Sequence, residues 1–150
     1  MKKKLILTVG NPMMGDDAAG SLLAQRIKRA PLDAWDVLDG GSAPENVLYS
    51  IREMAPEQVL VIDAADMDLV PGEVRLIGAE KVEDPFLMTT HTLPLSYLVE
   101  SLREFVPQVD LMGIQPQVVA FGYPVSNEVK QAVDQVYEGL KQDGFIWDSL

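Results

Sequence analysis

The sequence predicts a three-layer α/β/α sandwich in which a mixed five-stranded sheet lies between helices. Two observations carry this. Short apolar runs alternate with segments of helical period along the chain. The link between the third and fourth runs, residues 63–72, is too short for a crossover helix, so the fourth strand is expected to run antiparallel. Residues 1–150 read as a single domain, free of repeats, low-complexity tracts and linkers. That length can bury roughly two-thirds of the unfolded surface.

Each element has a local reason. Residues 4–9 form the first strand, apolar on both faces as a buried parallel strand is. A helix then runs to about residue 30, with Ala19, Leu22, Leu23 and Ile27 on one stripe. Asp16 and Asp17 lie in its first turn and Arg26, Lys28 and Arg29 in its last, as the helix dipole favours. One of the two aspartates is expected to cap it. Residues 35–38 form the second strand, closed by Asp39-Gly40-Gly41. Ser42-Ala43-Pro44-Glu45 has the form of a capping box opening a second helix, with Val47, Leu48, Ile51 and Met54 inward. Residues 58–62 form the third strand. Pro71-Gly72 turns the chain into the fourth, residues 73–77. A helix from Thr92 and Pro94 to Phe105 buries Leu95, Leu98, Leu102 and Phe105. The fifth strand is residues 109–114, and the last helix, residues 126–142, turns Val129, Val133, Val136 and Leu140 to one side.

Composition removes several function classes. The chain is 47% hydrophobic and 23% charged, which is a folded protein and not a disordered one. Its net charge of −11 repels phosphate backbones, so nucleic acid is not an expected partner. The apolar run after Lys2-Lys3-Lys4 is too short for a signal peptide, and no stretch spans a bilayer. A cytoplasmic protein without membrane contact is the expectation. The chain has no cysteine, which excludes disulfides, thiolate metal sites and a cysteine nucleophile.

With right-handed crossovers, the first three strands take the order 2-1-3. A crevice opens between the carboxyl ends of strands one and three, where the order reverses. Asp16-Asp17 and Asp63 fall there, and Asp39 ends the strand on the other side of strand one. The loop of residues 10–15 has glycines suited to a phosphate, but it lacks the lysine of a phosphate loop and the spacing of the dinucleotide fingerprint. Two aspartates at a helix start favour a cation over an anion. His91 is the one histidine of the chain and stands just before a helix start, where the dipole disfavours imidazolium and leaves the neutral, metal-binding form. Two carboxylates and one imidazole suit a borderline divalent ion such as nickel or zinc, with coordination positions left open. Ser42 has no nucleophile elbow around it, and Thr89 and Thr90 form no triad with His91, so a serine-type hydrolase is disfavoured. A nucleotide or flavin binder on the same kind of sheet conflicts with the two aspartates and the missing lysine.

Six segments together resemble the [NiFe]-hydrogenase maturation endopeptidases. They are Gly10-Asn11-Pro12-Met13-Met14-Gly15-Asp16-Asp17, the run from Asp39 to Asn46, Ile62-Asp63-Ala64-Ala65-Asp66-Met67, Pro71-Gly72-Glu73-Val74-Arg75, the run from Met88 to Leu98, and Gly113-Ile114-Gln115-Pro116. The resemblance is to the hydrogenase 3, or formate hydrogenlyase, branch and covers the chain from Leu5 to about Leu140. It implies strand order 2-1-3-5-4 in a phosphorylase/hydrolase-like sandwich. It implies an aspartyl-type endopeptidase that cuts a C-terminal extension from the hydrogenase large-subunit precursor. The cut follows nickel insertion and falls after a basic residue beyond the last metal-ligating cysteine motif. The nickel-contacting positions match Asp17, Asp63 and His91, which are also the implied catalytic residues, and Asp39 matches a substrate-recognition position. Other branches carry glutamate where this chain has Asp17, one methylene shorter. The nickel is borne by the substrate, and zinc or cadmium can stand in for it in isolated protein. A monomer suffices for such an enzyme. A nickel-binding assembly chaperone that docks on the same subunit without cutting it is the alternative.

Overall fold

The apolar runs become the centre of one sheet because each faces a helical layer on both sides. The computed structural model describes residues 3–82, 88–89 and 95–150. Its strands are β1 (Lys4–Thr8), β2 (Trp35–Asp39), β3 (Gln58–Asp66), β4 (Val74–Ile77), β5 (Met88–Thr89) and β6 (Gln108–Ile114). Its helices are α1 (Ala19–Arg29), α2 (Leu48–Met54), α3 (Ala79–Val82), α4 (Leu95–Arg103) and α5 (Asn127–Lys141). Single 3₁₀ turns, Gly15–Ala18 and Pro44–Val47, lead into α1 and α2.

The sheet order is β2-β1-β3-β6-β4, with β5 paired to β3 off this path. β1 is parallel to β2 and to β3, and β3 is parallel to β6. β4 is antiparallel to β6, with Arg75 opposite Gly113. This is the expected mixed order; the strand expected as fifth is β6, because the two-residue β5 precedes it.

Side chains alternate between two cores, as a doubly covered sheet requires. Leu5, Leu7, Val59, Val61 and Leu111 pack with Ile51 of α2 and with Leu95, Leu98 and Leu102 of α4. Ile6, Leu60, Ile62 and Met112 pack with Leu23 and Ile27 of α1 and with Val129, Val133 and Val136 of α5. Tyr137 Oη donates to Ala30 O at 2.7 Å and Arg26 pairs with Asp134 at 2.8 Å, which locks α5 to α1.

Local chemistry departs from expectation in four places. Neither Asp16 nor Asp17 caps the first helix; no side chain caps the 3₁₀ turn or α1, because Asp16 is engaged elsewhere. The Ser42–Glu45 capping box does not form: the 3₁₀ turn starts after Ala43 with no side-chain cap, and Pro44 lies buried at its first position. β3 runs on to Asp66, four residues past the expected end, because β6 and then β5 give it partners. The chain end returns to the sheet: Leu76 N donates to Asp148 O and Leu150 N to Leu76 O, both at 2.8 Å, so residues 148–150 cover the β4 edge. The expected start of α4 at Thr92 and Pro94 lies outside the described residues. No described helix is long and apolar enough to cross a membrane.

Candidate active site

The carboxyl ends of β2, β1 and β3 stand in line. Thr8 at the end of β1 is opposite Asp39 on one side and Ile62 on the other. Val9 N donates to Ile62 O at 2.9 Å and Gly40 N to Thr8 O at 2.7 Å, so the ladder holds up to the point where Asp63 and Gly40 begin the rim. The 3₁₀ turn carrying Asp16 and Asp17 packs against β3. The switch point inferred from strand order is therefore where the acidic loops meet.

Burial singles out the same residues. Among the described residues, the buried charged side chains are Asp16 (0% exposed), Asp17 (3%) and Asp63 (0%). Carboxylates are rarely buried this far without a structural or functional partner. Asp63 shares the side of β3 that carries Val59, Val61 and Ala65, the side covered by α2 and α4. Asp17 arrives over the end of β1 from the layer of α1. Its Oδ2 accepts from Asn11 N at 2.7 Å, which closes the first loop on its own acid.

Gly10 makes that closure possible. It adopts φ +136°, and a Cβ there would lie 2.1 Å from Asp17 O. Only glycine lets the turn fold back so closely.

Asp16 has a different task. Its Oδ1 accepts from Ser126 N at 2.6 Å, and its Oδ2 accepts from Gln117 N at 2.8 Å, Val118 N at 3.2 Å and Ser126 Oγ at 2.9 Å. Asp16 N in turn donates to Val118 O at 2.9 Å. Ser126 is the N-cap of α5, accepting from Val129 N. One aspartate of the pair thus welds the first loop to the loop before α5, while its neighbour is buried against the first loop itself.

Asp39 is tied to the scaffold: Oδ1 accepts from Thr8 Oγ1 at 3.2 Å and Gly41 N at 3.0 Å, and Oδ2 from Ser21 Oγ at 3.3 Å. Gln115, directly after β6, carries a structural role that its sequence position alone does not reveal. Its Oε1 accepts from Met67 N at 2.7 Å and Leu69 N at 3.3 Å, while Nε2 donates to Asp66 Oδ1 at 3.1 Å. It shapes the loop that follows β3. The signal available for it was a polar amide directly after the apolar end of β6, Leu111 to Ile114.

The structure brings Asp17 and Asp63 to one rim; His91 lies outside the described residues. Among the described residues no three His, Cys, Asp or Glu side chains group closely enough to hold a metal ion.

A family model described as hydrogenase maturation protease (HycI) matches residues 18–142. The chain belongs to the hydrogenase maturation protease family. It is 49% identical over 137 residues to the hydrogenase 3 maturation protease of Escherichia coli (strain K12), covering 91% of this chain and 88% of that protein. The solution structure of endopeptidase HycI from Escherichia coli superposes with a TM-score of 0.91 at 45% identity, over 100% of this chain and 97% of that one. A [NiFe] hydrogenase maturation protease HycI from Thermococcus kodakarensis KOD1 gives a TM-score of 0.79 at 25% identity, over 95% and 94% of the two chains. The hydrogenase maturation protease is thus a peptidase close to the hydrogenase 3 type, and the assembly chaperone without proteolytic activity falls away.

Proposed function

We propose that this maturation protease removes the C-terminal extension of a [NiFe]-hydrogenase large-subunit precursor after nickel insertion. Asp17, Asp63 and His91 recognise the nickel that the precursor carries. The observation that carries the reading is the burial of Asp17 and Asp63 together at the switch point of a hydrogenase maturation protease fold. The β3–β5 pairing supports the third member: Thr89, two residues before His91 in sequence, lies opposite Ala65, two residues after Asp63.

The chemistry follows from the donor set. Carboxylates and a neutral imidazole fill positions left open on a divalent ion whose other positions belong to the precursor's cysteines. Docking then tests whether the metal is loaded. In the cut, water adds to the scissile carbonyl carbon, the C–N bond breaks, and the departing amine takes up a proton. Asp17 or Asp63 serves as general base toward that water, or the substrate's nickel polarises it as a Lewis acid. The net charge of −11 favours approach of a basic residue before the cut. The enzyme acts as a monomer in the cytoplasm, beside the assembling precursor.

The test is a mass measurement. Purified protein is incubated with large-subunit precursor, loaded or unloaded with nickel, and the products are weighed. One C-terminal peptide should be lost from loaded precursor alone. Intact loaded precursor sinks the proteolytic assignment of substrate, and equal cutting of both forms sinks nickel recognition.

A further inference from the structure

No charged side chain occurs between Asp110 and Glu128, nor between Lys4 and Asp16, in a chain whose net charge is −11. These two neutral stretches contribute the loops that meet beside Asp17. Gly122 N donates to Met13 O at 2.9 Å, and a Cβ on Gly15 would lie 2.6 Å from Val118 O. Asp16 binds the same two loops together through Gln117, Val118 and Ser126. On this braced backbone Met13 is 57% exposed, Phe121 72% and Tyr123 58%.

A cluster of large apolar side chains facing solvent marks an interaction surface. Methionine and aromatic residues with no charge among them match the composition of interface centres. The loops are already fixed by internal hydrogen bonds, so ordering them on binding costs little.

We propose that Met13, Phe121 and Tyr123 form the docking surface for an uncharged, apolar segment of the precursor polypeptide, next to the bond that is cut. The identity of the partner rests on the processing function proposed above. Charge selects the segment: a basic stretch is drawn to the acidic remainder of the surface, whereas this rim offers only apolar contact. A second copy of the chain would have to bring two bodies of charge −11 together. Continuity fixes the direction: Met13 stands four residues before Asp17 on the same loop, so a segment seated here leads into the cleft.

The experiment measures binding and cutting separately. Nickel-free precursor is titrated onto wild-type protein and onto Met13→Ser, Phe121→Ser and Tyr123→Ser, with Tyr49→Ser on α2 as the control. Kd should rise roughly tenfold or more for Phe121→Ser and Tyr123→Ser, less for Met13→Ser, and stay level for Tyr49→Ser. No binding by the wild type, or an unchanged Kd across the three rim variants, overturns the inference. So does light scattering that shows a wild-type dimer made monomeric by Phe121→Ser, since the occupant is then a second copy. Cutting of nickel-loaded precursor is weighed in parallel. If the Kd pattern holds without cutting, the docking surface stands and the processing function fails; if cutting occurs with Kd unmoved, the reverse holds.

Discussion

Asp16 and Ser126 are joined by two hydrogen bonds, from Ser126 N at 2.6 Å and Ser126 Oγ at 2.9 Å, across 110 residues of sequence. The buried carboxylate also takes two further backbone donors, so Asp16→Ala leaves several amides without an acceptor. The expected loss is about 3 kcal/mol of unfolding free energy by urea titration. Asp16→Asn turns an amide donor toward Ser126 N or its neighbours and should lose about half as much. A loss below about 0.5 kcal/mol for Asp16→Ala, the size of an ordinary surface change, would show that the network does not hold the two loops.

Gly10→Ala separates fold from site. Its Cβ would meet Asp17 O at 2.1 Å with φ at +136°, so the turn must shift. About 2–3 kcal/mol of stability should go, and the shift displaces Asp17. Cutting of loaded precursor should fall well beyond the fraction unfolded. Full specific activity in the folded fraction would show that the position of Asp17 is not set by this closure.

Asp17→Asn and Asp63→Asn keep volume while removing charge. Each should slow release of the C-terminal peptide about a hundredfold or more, the range for loss of a positioned base or charge. His91→Ala should abolish it. The measurement is single-turnover cutting of nickel-loaded precursor with circular dichroism alongside. Full activity in His91→Ala removes that residue from the site.

Much of this architecture was legible in the sequence because it depends on period. Residues 4–9 announce a buried strand by being apolar on both faces, and β1 lies inside the sheet between β2 and β3. Asp17 and Asp63 were legible as rim residues because a switch point follows from strand order alone. What escaped depends on contacts between distant segments. Asp16 looked like a helix cap, since sequence cannot show that loop 116–126 arrives 100 residues later to claim it. Ser42 and Glu45 fit the capping-box pattern, yet the chain starts a 3₁₀ turn at Pro44 with no side-chain cap. β5 has two residues, too few for any periodic signal, and exists only as a partner for Ala65 and Asp66. The pairing of residues 148–150 with Leu76 is likewise nonlocal.

That terminal pairing predicts a change in stability without a change in chemistry. Trp147 packs over Gly139, where a Cβ would lie 2.3 Å from the indole, and joins the core of α1 and α5. Deleting residues 145–150 removes this contact and bares the β4 edge. About 2–3 kcal/mol should be lost, and the truncated protein should associate at high concentration through its open edge. β6 lies between β4 and β3, so the folded fraction should cut precursor at the normal rate. Lost cutting in well-folded truncated protein would tie the tail to the site.

Asp39 decides between scaffold and recognition. Its carboxylate accepts from Thr8 Oγ1, Gly41 N and Ser21 Oγ, linking the ends of β1 and β2 to α1. As scaffold alone, Asp39→Ala should lose about 1–3 kcal/mol, and a Thr8→Val, Ser21→Ala pair should reproduce much of that loss. A role toward substrate adds something that pair cannot mimic, because Asp39 then also meets the precursor. KM for loaded precursor should rise in Asp39→Asn and stay level in the Thr8→Val, Ser21→Ala protein. Equal KM values in the two would leave Asp39 as a brace for the rim, with recognition carried by the residues around it.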